Sequence, residues 1–154
     1  MLTIRTLEKI KRGSWITLIN GIYTVLFGIL YMALMMFILK INFHRIDIVW
    51  QVFVKYNPAI NFMIVRLMIL KSIFIIAIGI IITYLSNYIL RKKEKPAWVI
   101  LFIVGIIFWP ALLTMEFLEG NIYTGVAAFI GWISFIIGML IPIRYYTQRE
   151  YDEY

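Results

Sequence analysis

Four long apolar stretches, separated by short polar or basic segments, dominate the pattern of the chain. Residues 14–39, 58–90, 98–118 and 123–143 each reach the ~20 residues that an α-helix needs to cross a bilayer core of ~30 Å. So many stretches of this length cannot all be buried in a soluble chain of 154 residues. The pattern therefore predicts an all-α membrane protein with four transmembrane helices.

The second stretch is longer than one crossing requires. It begins at Asn57-Pro58, where a capping residue followed by proline is typical of a helix start. At 1.5 Å per residue, a helix over 58–90 would be about 50 Å long, so it must tilt or stand beyond the bilayer. We expect an outward extension at its head, followed by the second span.

Shorter segments connect the spans. Residues 1–13 combine an apolar helical face with basic residues, which predicts a cytoplasmic interfacial segment. In the outward loop, 40–57, polar residues spaced by four favour an amphipathic helix, whereas alternating apolar residues over 45–56 also fit a strand. We favour the helix, because an isolated strand has no partner beside a membrane. Residues 91–97 and 144–154 are expected to be a cytoplasmic loop and a cytoplasmic tail.

Composition and charge refine this architecture. The chain is 63% hydrophobic, against ~45–50% for a soluble domain. Its formal charge of +7 could suggest a nucleic-acid partner, but ten of the 15 Lys and Arg residues lie in 1–13, 91–97 and 144–154. The positive-inside rule then places both termini in the cytoplasm, with the helices in an up-down-up-down antiparallel bundle. We expect the plasma (inner) membrane of a prokaryote and no nucleic-acid partner.

Few residues suggest chemistry. The chain has no Cys and one His, so thiolate metal sites, disulfides and a bis-histidine haem site are excluded, and we expect neither metal nor cofactor. The one cluster that resembles a catalytic site is His44-Arg45-x-Asp47, which lacks a second base or a nucleophile. A solvated loop is the favoured interpretation, and a lipid-modifying enzyme is the least favoured function.

Small residues recur at heptad spacing in three of the spans. Such stripes let helix backbones approach closely, and their hydroxyls can bond across the contact. The packing residues are Gly21, Thr24, Gly28, Gly79, Thr83, Ser86, Ala127, Gly131, Ser134 and Gly138. The alternative, a pore lined by hydroxyl groups, is disfavoured because Asn20 is the main strongly polar residue well inside a span.

Three charged residues lie near the outer ends of the apolar stretches. Lys71 and Glu116 should lie ~28 and ~27 Å from the inner boundary, which predicts an ion pair at the outer boundary of the bundle. Alternatively, Lys71 snorkels to the headgroups and Glu116 simply ends its helix. Arg66 lies about 140° around its helix from Lys71, so it should face lipid or a partner, together with Trp50 and Phe53 of the apolar loop.

These patterns favour a non-catalytic accessory or scaffold subunit of a larger membrane complex. The expected partners are the lipid bilayer and another membrane protein or a second copy of the chain. The alternative function is a small homo-oligomeric transporter or channel, which would use Lys71, Glu116 and Asn20 along its path.

Overall fold

The computed structural model of the protein describes residues 4–45, 52, 55–56, 58–92 and 94–147. The helices are α1 (Ile4–Arg45), α2 (Pro58–Lys92), α3 (Lys95–Leu118), α4 (Ile122–Leu140) and the short α5 (Ile143–Thr147). The first four are long and apolar enough to cross a membrane. The prediction of an all-helical protein with four membrane-length helices is therefore confirmed over the described residues.

The four long helices pack side by side around a shared core. Helix α1 packs along α2 and against α4, and α3 packs against both α2 and α4. Gly21 lies against Thr83 and Gly28 against Ile76, so the contacts run in opposite order along α1 and α2. Buried residues from all four helices fill the space between them, including Tyr31, Ile75, Ile82, Leu101, Trp109, Ala128 and Phe135.

Helix α1 runs without a break across a boundary that the sequence suggested at residues 13 and 14. The structure joins residues 4–13, expected as a separate interfacial segment, to the first span, and the helix continues to Arg45. Gly13 does not end the helix. It lies so close to α4 that a Cβ atom there would sit 2.6 Å from the carbonyl oxygen of Gly138 and 2.7 Å from Pro142.

The chain after α4 also packs on the bundle. Pro142, which has no backbone N–H to continue the helical pattern, follows the end of α4 and precedes α5. Tyr146 of α5 is buried and stacks on Trp98 with the ring centroids 5.1 Å apart. Burial, and then the neighbouring Tyr145, raise the pKa of the Tyr146 phenol above its ordinary value. The first residues of the expected tail, 144–147, therefore belong to the packed structure.

The helices differ greatly in length. Contacts of Tyr31 and Lys71 with Glu119 place these residues level with the end of α3. Residues 32–45 of α1 and 58–70 of α2, which we call the extension, therefore continue about 20 Å beyond that level. The remaining described helices, with residues 4–31 of α1 and 71–92 of α2, form the four-helix body.

Candidate functional site

The turn between α3 and α4 places two carboxylates at the end of the body. Gly120 has a φ of 67°, in the left-handed region that favours glycine. The N–H of Asn121 donates to the carbonyl of Glu116 at 3.0 Å, and the N–H of Gly120 to that of Phe117 at 3.0 Å. These two bonds form a Schellman motif, which satisfies the last carbonyls of α3 and fixes Glu116 and Glu119 on its final turn.

Glu116 is fully buried, and groups from two other helices surround its carboxylate. The Nζ atom of Lys71 on α2 lies 2.8 Å from Oε1 of Glu116. The hydroxyl of Thr124 on α4 donates a short hydrogen bond to Oε2. A buried carboxylate without such partners would carry a large desolvation cost, so these contacts hold α2, α3 and α4 together at this level.

Lys71 also contacts a second acid. Its Nζ atom donates to Oε1 of Glu119 at 2.8 Å and lies 4.9 Å from the ring centroid of Tyr31 on α1. The Tyr31 hydroxyl and the Asn121 amide donate to Oε2 of Glu119, at 3.3 and 3.0 Å. All four long helices therefore meet in one polar group, the ion cluster, made of Tyr31, Lys71, Glu116, Glu119, Asn121 and Thr124.

The charges of the ion cluster do not cancel. One ammonium faces two carboxylates, so the formal charge is −1 when all three groups are ionised. Glu116 is enclosed, whereas 36% of the Glu119 side chain is exposed. The excess negative charge therefore lies at the accessible edge of the ion cluster, where a cation could approach Glu119.

An apolar groove of about 590 Å³ runs beside the ion cluster between α2 and α3. Lys71 and Glu119 line it, with Ile64 and Leu67 from the extension and Phe108 from the body. Its volume lies within the ~300–1,000 Å³ usual for small-molecule sites, although an exposed groove on an apolar helix pair also suits another helix.

Asn20 makes the main polar contact in the middle of the body. It is buried, and its Nδ2 atom donates to the carbonyl of Gly131 and to the hydroxyl of Ser134, both at 2.7 Å. The Tyr23 hydroxyl donates to the carbonyl of Ala127 at 2.8 Å one turn further along. These contacts commit the Nδ2 atom of Asn20 to joining α1 with α4.

Comparison with protein-family models, curated proteins and solved structures gave no match. Over the part of the chain that the structure describes, no group of three or more His, Asp or Glu side chains could hold a metal ion.

The structure brings Lys71 and Glu116 together, as their similar expected distances from the inner boundary predicted. It leaves Arg66 exposed on α2. The Arg66 guanidinium lies 4.0 Å from the ring centroid of Phe62. Trp50 and Phe53, and the helix-or-strand alternative for most of 45–56, lie outside the described residues. So does Asp47 of the weak catalytic candidate, whereas the backbone at His44 and Arg45 belongs to α1.

Most of the predicted packing glycines lie at helix contacts. A Cβ atom on Gly79 would sit 2.6 Å from the backbone nitrogen of Val25, so α1 and α2 touch almost backbone to backbone. Gly131 lies under the ring of Trp109, and Gly138 against Thr17. The close approach of α1 to α2 and to α4 therefore depends on Gly79 and Gly138, and that of α3 to α4 on Gly131.

Sequence reasoning missed the other members of the ion cluster. Glu119 follows Glu116 by three residues and so shares its helix face, which was a usable signal. Tyr31 lies seven residues after Thr24 and continues the inward face of α1. Thr124 heads the stripe of small residues on α4, which indicated an inward position, but its contact with Glu116 depends on the turn geometry at Gly120.

Proposed function

We propose that the protein is a non-catalytic accessory or scaffold subunit of a larger membrane complex, and that the extension is its docking element. The observation that carries this proposal is the exposure of the extension. Large apolar side chains cover its outer surfaces, although it lies beyond the end of the four-helix body. They include Leu34, Met36, Phe37, Ile60, Phe62, Met63 and Leu67.

The apolar interior of the extension continues the core of the body, and over residues 4–45, 58–92 and 94–147 only α1 and α2 shield it. Ile38, Leu39 and Met68 are buried between α1 and α2. With the body set across a bilayer of ~30 Å, the extension stands about 20 Å further out, where lipid chains no longer cover it. A large exposed apolar surface in that position is typical of a protein–protein interface.

The end-to-end charge distribution supports cytoplasmic termini and an outward extension. Exposed cations surround the end of the body formed by the start of α1, the start of α3 and α5. They include Lys9, Lys11, Arg12, Lys92, Lys95 and Arg144. The ion cluster and the extension lie at the opposite end. By the positive-inside rule we place the cationic end in the cytoplasm, within an up-down-up-down bundle in a prokaryotic plasma membrane.

The contacts of the polar residues favour this function over the homo-oligomeric transporter. Lys71 is held by two carboxylates, Glu116 by Lys71 and Thr124, and Asn20 by the backbone of α4. A transport path would require these groups to release their partners in turn. Their shared contacts instead suit a rigid body that presents the extension.

Extraction of a tagged chain from native membranes, followed by intact-complex mass spectrometry, tests the proposal. We expect a different membrane protein at fixed stoichiometry. The double substitution Leu34→Ala/Phe37→Ala in the extension should abolish this co-purification. The matched control Ile19→Ala/Leu26→Ala changes two exposed residues on the same face of α1 within the body, and should retain it. A chain that purifies without a different protein would overturn the proposal.

A further inference from the structure

We propose that two copies of the chain associate through α2, with Arg66 of each copy paired to Glu119 of the other. This inference goes beyond the accessory role, because it concerns self-association through one stripe of α2 that continues from the extension along the body. It begins from two charges that the single chain leaves unbalanced: an exposed cation on α2 and the excess carboxylate of the ion cluster.

Arg66 is the unbalanced cation. It belongs to an exposed helical stripe with the alternating spacing of three and four residues that helix pairs use. The stripe, which we call the α2 seam, consists of Ala59, Met63, Arg66, Leu70, Ile73, Ala77, Ile80 and Tyr84, all exposed. Within the described residues Arg66 has no carboxylate partner, and its guanidinium lies over the Phe62 ring.

Glu119 is the unbalanced anion. It is the exposed carboxylate of a cluster whose formal charge is −1, and it lies in the apolar groove between α2 and α3. The groove is apolar on both sides of the charge, with Ile64 and Leu67 towards the extension and Phe108 towards the body. A phospholipid carries its polar head at the end of its chains, whereas a helix can carry one cation between apolar turns. The groove therefore fits an apolar helix with a single cation, which is what the α2 seam offers.

The angular positions on α2 permit both ion pairs to form at once. Taking Arg66 as zero and about 100° per residue, Met63 lies near 60° and Lys71, which marks the groove, near 140°. Suppose that a twofold axis passes the surface of α2 at Met63 and Leu70. Arg66 then lies on one side of the axis and the groove lies on the other side. Rotation by 180° places each Arg66 beside the groove of the second copy. The contact is self-complementary, as a closed dimer requires.

The heights of the two charges also agree. Arg66 precedes Lys71 by five residues, which is about 7.5 Å along α2. Lys71 is level with Glu119, since their charged atoms are 2.8 Å apart. The long, flexible arginine side chain can cover that offset, and its guanidinium suits a carboxylate in a partly apolar site.

The absence of cysteine from the sequence makes cross-linking a direct test. We expect Leu70→Cys to form a disulfide-linked homodimer when native membranes are oxidised. The control Val126→Cys lies on α4, diagonally across the body from α2, near the same end and with similar exposure, 55% against 48%. This control should cross-link no more than random collisions in the membrane allow. Diluting the protein into lipid vesicles measures that background. Equal cross-linking at both positions, or a link from Leu70→Cys to a different protein, would overturn the proposal.

Charge substitutions in the Leu70→Cys chain test the ion pair itself. Arg66→Glu faces Glu119 with a like charge, so the cross-linked fraction should fall about tenfold or more. Arg66→Lys keeps the charge but loses the guanidinium, so it should lower the cross-linked fraction clearly less than Arg66→Glu does. Arg66 is exposed, so both variants should fold, and equal elution and unfolding profiles will verify this. Cross-linking unchanged by Arg66→Glu would refute the pairing. A homodimer found without any different protein would refute the accessory role but leave this inference intact.

Discussion

The body and the extension use the same two helices in different settings. In the body, α1 and α2 are flanked by α3 and α4, and buried polar groups such as Asn20 and Glu116 find partners on neighbouring helices. In the extension, the described part of the chain offers these two helices only each other, and their buried residues include Ile38, Leu39 and Met68. Close backbone approach, hydrogen bonds and ion pairs stabilise the body, whereas the apolar contact between α1 and α2 stabilises the extension.

This contrast indicates that different regions determine the stability of the fold and its recognition by a partner. Every long helix contributes to the ion cluster, so a change there should disturb the whole body. The extension can change its outer surface without losing an internal contact, which is the freedom that a docking element needs. Stability should therefore be most sensitive at the ion cluster, less sensitive at the glycine contacts, and least sensitive in the extension.

The largest expected effect comes from removing Lys71. Lys71→Met leaves two carboxylates close together, one of them fully buried, and should lower the free energy of unfolding by about 3–5 kcal/mol. Adding Glu116→Gln removes the stranded charge, so the double variant should be more stable than Lys71→Met alone by at least about 1 kcal/mol. Denaturant unfolding in detergent micelles, followed by tryptophan fluorescence, measures both changes.

Glu94→Gln is the control for this pair of variants. Glu94 is exposed and accepts hydrogen bonds from Tyr88 at 3.2 Å, so its loss should change stability by no more than about 0.5 kcal/mol. Additive losses for Lys71→Met and Glu116→Gln would show that the two residues are not energetically coupled, which would contradict the role given to the ion cluster.

The second effect concerns the glycine contacts of the body. Gly79→Ala places a methyl group 2.6 Å from the backbone nitrogen of Val25 and 3.1 Å from the carbonyl of Gly21, so α1 and α2 must separate. We expect a loss of about 1–3 kcal/mol. At Gly125 the nearest atom to a new Cβ is the Cβ of Glu116, at 3.8 Å. Gly125→Ala should therefore be neutral or stabilising, since alanine favours the helix. Equal losses in the two unfolding curves would refute close packing as the cause.

The helical architecture could be predicted from the sequence because it depends on local signals. Apolar length predicted four helices, and the heptad spacing of Gly21, Gly28 and Gly79 predicted close helix contacts. Counting residues along two antiparallel helices was enough to bring Lys71 to Glu116. Each of these inferences needs only the regular rise and turn of an α-helix.

The parts that sequence reasoning missed depend on nonlocal geometry. Thr124 reaches Glu116 because Gly120 adopts a left-handed conformation and reverses the chain over three residues. A boundary was expected between residues 13 and 14, yet Gly13 lies within α1, where Gly138 and Pro142 approach it closely. Glycine is compatible with a break, a turn and a tight contact, and the sequence alone does not distinguish them.

The smallest effect should come from the extension, where an identical substitution compares the two regions. Ile82 in the body is 0% exposed and Ile38 in the extension is 9% exposed. Ile82→Val should lower the free energy of unfolding by about 0.5–1.5 kcal/mol. Ile38→Val should change the free energy of global unfolding by only about 0.3 kcal/mol or less. A region stabilised by a single contact between two helices can open while the body stays folded. Hydrogen exchange with mass spectrometry should instead show faster exchange in 32–45, with the body unchanged. If Ile38→Val lowers global stability as much as Ile82→Val, the extension unfolds together with the body, and the separation of stability from recognition fails.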